Sequence, residues 1–161
     1  MEPVYLVGYF TPQIKRYFKG FFNRFGLSVH FAKEDPGQGK IVFFKSNMVK
    51  FQSGKKSMYG IAFPETKTAL IKYPWPTDIK VRCLNFKGTT EPLRLFSLVA
   101  LHEYLHLKGL AHCRNSGCLM AKLDCNANGT GGYCLPCLSL LKDPAPLCSH
   151  CKEKANLFLT L

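Results

Sequence analysis

The sequence predicts an α+β fold: a twisted mixed sheet backed by one helix, a central helix packed on it, and a short cysteine-rich C-terminal region. Three observations lead there. Short apolar runs bounded by turn residues recur between Val4 and Leu84, as strands do. The stretch from Leu93 to Leu107 is apolar on nearly every face, as a helix in the middle of a domain is. Cysteines after residue 111 arrive in doublets with the spacing of metal ligands. At 161 residues the chain is the size of one domain, with residues 1–110 carrying the sheet and central helix. Residues 111–161 then form a small cysteine-rich subdomain that could not bury a core unaided.

Taken in order, Val4 to Phe10 is an apolar, aromatic-rich run and reads as a buried strand. Thr11 and Pro12 suit the cap and first position of a helix, where a missing N–H is no loss. Ile14, Tyr17, Phe18, Phe21, Phe22 and Phe25 follow at helical spacing, with Lys15, Arg16, Lys19 and Arg24 on the other side and Gly26 as the stop. Leu27 to Ala32 and Lys40 to Phe44 are the next strands, separated by a turn over residues 34–39. Ser46 to Lys56 reads as an irregular basic connection. Met58 to Phe63 and Thr68 to Tyr73 form a hairpin across residues 64–67, and Ile79 to Leu84 a further strand. Thr89-Thr90-Glu91-Pro92 opens the central helix with a hydroxyl cap, an acid and a proline.

A formal charge of +12 and a pI near 9.4 admit polyanion binding, but the lysines and arginines are spread along the chain rather than gathered in blocks. General solubility is the favoured meaning, with nucleic acid as a secondary partner. The start shows no basic leader before an apolar run, and no stretch is apolar for long enough to cross a bilayer. The cytoplasm is the expected compartment. Thiols stay reduced there, so the eight cysteines read as metal ligands before they read as disulfides.

The chemistry lies in His102-Glu103-Tyr104-Leu105-His106-Leu107-Lys108-Gly109-Leu110-Ala111-His112-Cys113. On a helix, His102 and His106 stack one turn apart on a single face and can share an ion. Gly109 can take a left-handed conformation, end the helix and turn the chain so that His112 becomes a third ligand. Three neutral imidazoles suit zinc and leave a coordination position for water, whose pKa zinc lowers to about 7. Glu103, beside the first ligand, is placed to take that water's proton and pass it to a leaving amine. The bland reading of the short motif is an amphipathic helix with two histidines and a solvated glutamate; Gly109 and His112 weigh against it.

The run H-E-x-x-H-x-x-G-x-x-H resembles the metzincin signature. Its extension, Cys113 directly after the third histidine and then Cys118-Leu119-Met120, resembles the archaemetzincins. That resemblance implies a zinc peptidase with His102, His106 and His112 on the catalytic zinc and Met120 in a turn beneath it. It implies a peptide substrate lying along an edge strand, one of the two hairpin strands, by strand addition. It also implies that Cys113 and Cys118 are half of a four-cysteine structural zinc site completed by a C-x-x-C pair.

Two such pairs exist, Cys134-x-x-Cys137 and Cys148-x-x-Cys151. The earlier is preferred, which leaves Cys125, Cys148 and Cys151, with His150, for a second knot; the opposite pairing stays open. Thiol-disulfide exchange is the competing use of C-x-x-C, though neither pair follows a thioredoxin-like strand and helix. One catalytic and at least one structural zinc are therefore expected. The alternative function is a zinc-stabilised basic module that binds nucleic acid or protein around a vestigial histidine site. Glu103 argues against it, because binding alone has no need of that carboxylate.

Overall fold

The computed structural model describes residues 3–45, 60–72, 91–115, 118–121 and 147–156. They form a five-stranded mixed sheet and three helices. The strands are β1 (Val4–Val7), β2 (Val29–Ala32), β3 (Lys40–Lys45), β4 (Gly60–Phe63) and β5 (Thr68–Lys72). The helices are α1 (Pro12–Asn23), α2 (Glu91–Leu107) and α3 (Ser149–Ala155). The segments expected at residues 46–56 and 79–84, and the Thr89-Thr90 cap, lie outside the described residues.

Helix α1 starts and stops where local chemistry dictates. Thr11 is extended, and its hydroxyl oxygen accepts the Ile14 N–H at 3.3 Å. At the other end Gly26 adopts φ 69°, so the Leu27 N–H reaches the Phe22 carbonyl at 3.2 Å and the Gly26 N–H that of Asn23 at 3.0 Å. This is a Schellman closure, and it folds Phe25 and Leu27 back into the core beside Phe18, Phe21 and Phe22. The helix ends two residues before Phe25, yet the aromatic face continues through the turn.

In the sheet the order is β2-β1-β3-β5-β4, parallel throughout except for β4, which runs antiparallel to β5 at one edge. Crossover through α1 puts β2 beside β1, as parallel pairing requires. The hairpin between β4 and β5 turns through a short 3-10 segment at Pro64–Thr66 and Lys67 at φ 54°. Strand β1 is shorter than the expected Val4 to Phe10. It stops at Val7, and Tyr9 is 82% exposed because the chain there is already leaving the sheet to enter α1.

Both helices touch each other, with α1 on β2 and α2 on β3, β4 and β5, so they share one side of the sheet. Register lines up the residues of that side. Phe31, Leu6, Val42, Ala69 and Ala62 form one row across the strands, and Ile71 with Gly60 continue the next. Leu98, Leu101, Leu105 and Tyr104 of α2 close on these rows, and Leu119, Met120, Leu147, Cys151 and Ala155 complete the same core. The row narrows to Ala62 and Gly60 at the β4 edge, where α2 passes closest.

Phe22 has no exposed surface, so Phe22→Ala should cost about 3–5 kcal/mol of unfolding free energy in denaturant titration. Tyr9→Ala should stay within about 0.5 kcal/mol. Equal losses at the two positions would contradict this placement of the core.

Candidate metal centres

The last turn of α2 builds the first cluster. Gly109 has φ 88°; its N–H donates to the His106 carbonyl at 2.9 Å and the Leu110 N–H to the Leu105 carbonyl at 3.1 Å. The same Schellman closure that ends α1 thus reverses the chain after His106 and sends Leu110 into the core. Two residues later His112 faces the helix it has just left.

The three imidazoles converge through one nitrogen each. His106 Nε2 lies 3.1 Å from His102 Nε2 and 3.3 Å from His112 Nε2. Two ligands held at 2.0–2.1 Å by a tetrahedral ion stand about 3.3 Å apart, so this spacing fits zinc. The other ring nitrogens fix the tautomer. His102 Nδ1–H donates to the Leu119 carbonyl at 2.8 Å and His106 Nδ1–H to the Leu110 carbonyl at 2.6 Å. A carbonyl can only accept, so each Nδ1 carries the proton and each Nε2 turns a lone pair toward the shared point.

Electrostatics agree with the geometry. His102 is 5% exposed, and burial, reinforced by the neighbouring imidazoles, lowers its pKa to about 4 against the pull of the Leu119 carbonyl. Its imidazole is therefore neutral across the physiological range, as a metal ligand would need to be. Glu103, 8% exposed, goes the other way, since burial raises its carboxyl to about 7. Among the described residues no cation is paired with it. A buried acid next in sequence to His102, and without a cation, is a group prepared for a positive charge or a proton.

The second cluster brings together Cys113, Cys118, Cys148 and Cys151, with all four sulfurs within 4.8 Å of one another. Cys113 Sγ and Cys148 Sγ are 3.7 Å apart, close to the roughly 3.8 Å expected of two thiolates at about 2.3 Å from one tetrahedral zinc. Burial raises the Cys118 and Cys151 thiols. For Cys148 burial acts in the same sense, but hydrogen bonds from the Cys151 backbone and from the other three thiols outweigh it and lower the group. Among the described residues, the C-x-x-C pair brought to Cys113 and Cys118 is thus Cys148-x-x-Cys151, the pairing left open beside the preferred Cys134-x-x-Cys137. Four thiols already satisfy a four-coordinate ion, and Cys125, Cys134 and Cys137 lie outside the described residues. His150 is exposed and belongs to neither cluster.

An isolated backbone bridge ties the segments that carry the two clusters to each other. The Cys113 N–H donates to the Met120 carbonyl at 2.7 Å, and Cys113 bridges Ala121 in parallel fashion. Met120 itself has no exposed surface. Sequence reasoning passed over one neighbour of the site, Gly60, whose position meets the Glu103 side chain. Its signal was a lone glycine inside an otherwise regular strand.

No protein-family model and no curated protein matches the sequence. Solved structures do match in three dimensions. A zinc-dependent peptidase from Methanocorpusculum labreanum superposes with a TM-score of 0.65 at 15% identity, covering 96% of this chain and 100% of its own. Archaemetzincin from Methanopyrus kandleri gives 0.63 at 15% identity, over 96% and 93% of the two chains. Archaemetzincin from Archaeoglobus fulgidus, in complex with malonate, gives 0.62 at 14% identity, over 96% and 99%. Across nearly its whole length, this chain has the archaemetzincin fold.

Proposed function

We propose that the protein is a zinc-dependent metallopeptidase, with catalytic zinc on His102, His106 and His112, structural zinc on Cys113, Cys118, Cys148 and Cys151, and Glu103 as general base and acid. The observation that carries it is the convergence of three Nε2 lone pairs at the end of a helix that also buries the Glu103 carboxyl, with no cationic partner for it among the described residues. Fold likeness to a zinc-dependent peptidase and to archaemetzincins supports it.

Bound zinc supplies Lewis acidity, polarising a peptide carbonyl and lowering the pKa of an adjacent water. The chain's own residues do the rest. Leu119 and Leu110 hold two imidazoles in the tautomer and orientation that ligation needs. Glu103 takes the water's proton and delivers it to the departing amine. Strand β4 pairs only with β5 among the described strands, so of the two hairpin strands it is the sheet edge. An extended peptide laid against it would gain main-chain hydrogen bonds and bring its carbonyl to the site. Met120 would serve as packing rather than as a ligand. Among the described residues no helix is long and apolar enough to cross a membrane.

Two outcomes test this reading. In a peptide-library cleavage assay, Glu103→Ala should keep its zinc and fold yet lose at least about a hundredfold in kcat. His106→Ala should lose the catalytic zinc, lowering the metal content from two ions per chain to one. Parent-level cleavage by Glu103→Ala would remove the assigned base. Steep salt dependence of nucleic-acid affinity with no peptide cleavage would instead favour the binding module.

A second prediction concerns the metal-free protein. The Glu103 carboxyl titrates near 4.5 when unfolded and about 7 when folded, so between those values the folded state holds the extra proton and stability falls as pH rises. The cost, about 3 kcal/mol, is complete above pH 7. Glu103→Gln has no charge to bury. Its stability advantage over the parent should therefore grow from near zero at pH 4.5 to about 3 kcal/mol above pH 7 in denaturant titrations. Loading zinc should shrink it, and a pH-independent difference would contradict the burial.

A further inference from the structure

Gly60 opens the edge strand β4 on the side that faces the helices, opposite Ile71 of β5. A Cβ built there would lie 2.8 Å from Glu103 Cγ, 2.8 Å from Glu103 Oε1 and 3.0 Å from Val99 Cγ1. These are closer than carbon atoms pack without displacement. Nor can the neighbours retreat cheaply. Glu103 and Val99 stand one turn apart on α2, both are buried, and α2 packs on the sheet with α1 against its flank.

Conformational freedom does not explain this glycine. Its φ is not among the positive values found at Gly26, Gly37, Gly39 and Gly109, so an alanine could adopt the same backbone. Glycine inside a strand costs about 0.5–1 kcal/mol relative to alanine. The sequence tolerates that weakness at the one point in β4 where a methyl group would strike the carboxylate. Two residues on, the next helix-facing position is Ala62, again small, so the whole edge is shaped for close passage of α2.

We infer that Gly60 is a positioning residue for Glu103: the space left by its missing side chain is the seat that aims the carboxylate. This rests on the reading of Glu103 as the proton acceptor. Any side chain at position 60 pushes the carboxylate off its seat while leaving the three imidazoles and their carbonyl partners in place. Misplacement by about 1 Å is enough to cost some hundredfold in rate, because proton transfer depends on the distance and direction of the acceptor.

The test uses the zinc-loaded full chain and Gly60→Ala. Two zinc per chain and a KM near the parent's should be retained, with kcat down about a hundredfold. Thermal melting of a double-mutant cycle with Glu103→Ala reads the contact without any substrate. Gly60→Ala should lower the melting temperature by about 4 °C or more in the parent. In the Glu103→Ala background, where Cγ and Oε1 are gone, it should lower it by far less. Parent-level kcat in Gly60→Ala, or the same melting shift in both backgrounds, would overturn the inference. A parent that cleaves no peptide would refute the peptidase reading instead, and the cycle would still decide whether Gly60 seats Glu103.

Discussion

The backbone reversal at Gly109 governs everything that happens at the site. A helix can align His102 with His106, but a third imidazole from the same helix would fall too far along its axis or around its circumference. Ending α2 with a left-handed glycine solves this within six residues, and the turn does a second task. The Leu110 carbonyl released by the turn is the one that accepts from His106 Nδ1, so the element that delivers the third imidazole also orients the second. The three-imidazole cluster is therefore a property of a helix end, where backbone groups without helical partners are available for such work.

From that turn the chain carries the two clusters as neighbours in sequence. His112 precedes Cys113, and Cys118 precedes Leu119, whose carbonyl orients His102. Both ends of the loop between them thus bear a thiol adjacent to a part of the histidine site. The Cys113 N–H to Met120 carbonyl bond ties those ends to each other. An ion among the four thiols would clamp this loop, and with it would reduce the freedom of His112 and of the Leu119 carbonyl. Metal at the cysteines would then stabilise the histidine geometry without touching it, through the shared segment and the entropy it no longer has to lose. Cys148 and Cys151 sit at the start of α3, so the same ion would anchor a helix of one or two turns that burial of Cys151 and Ala155 alone holds weakly.

What the sequence disclosed follows from how local each feature is. Thr11, Pro12 and Gly26 mark α1 because caps act within one turn, and residues 64–67 mark the hairpin for the same reason. Histidine spacing was readable because four residues on a helix is a fixed distance. The strand order β2-β1-β3-β5-β4 was not readable, since pairing is settled by long-range packing against α1 and α2. Neither was the choice of C-x-x-C pair. Both doublets have identical spacing, and loop closure costs too little extra with length to favour the nearer one. Gly60 escaped because its meaning depends on Glu103, some forty residues away in the chain, and emerges only when an edge strand and a buried helix are set side by side.

Burial makes opposite demands on adjacent residues of α2. It drives His102 toward the neutral form and holds Glu103 protonated until about neutral pH, so both groups favour their uncharged forms. On the proposed reading a dication would reverse the balance on both counts: it would take the His102 lone pair that burial keeps free of a proton, and it would offer the carboxylate a positive neighbour. The same low-dielectric surroundings that penalise an unpaired charge would strengthen any attraction between such an ion and the ionised acid. Close passage of α2 against Gly60 and Ala62 supplies the sheet side of the burial around Glu103. Tight packing at the β4 edge is thus an electrostatic device as much as a steric one, since a looser edge would admit water and let Glu103 ionise with no ion present.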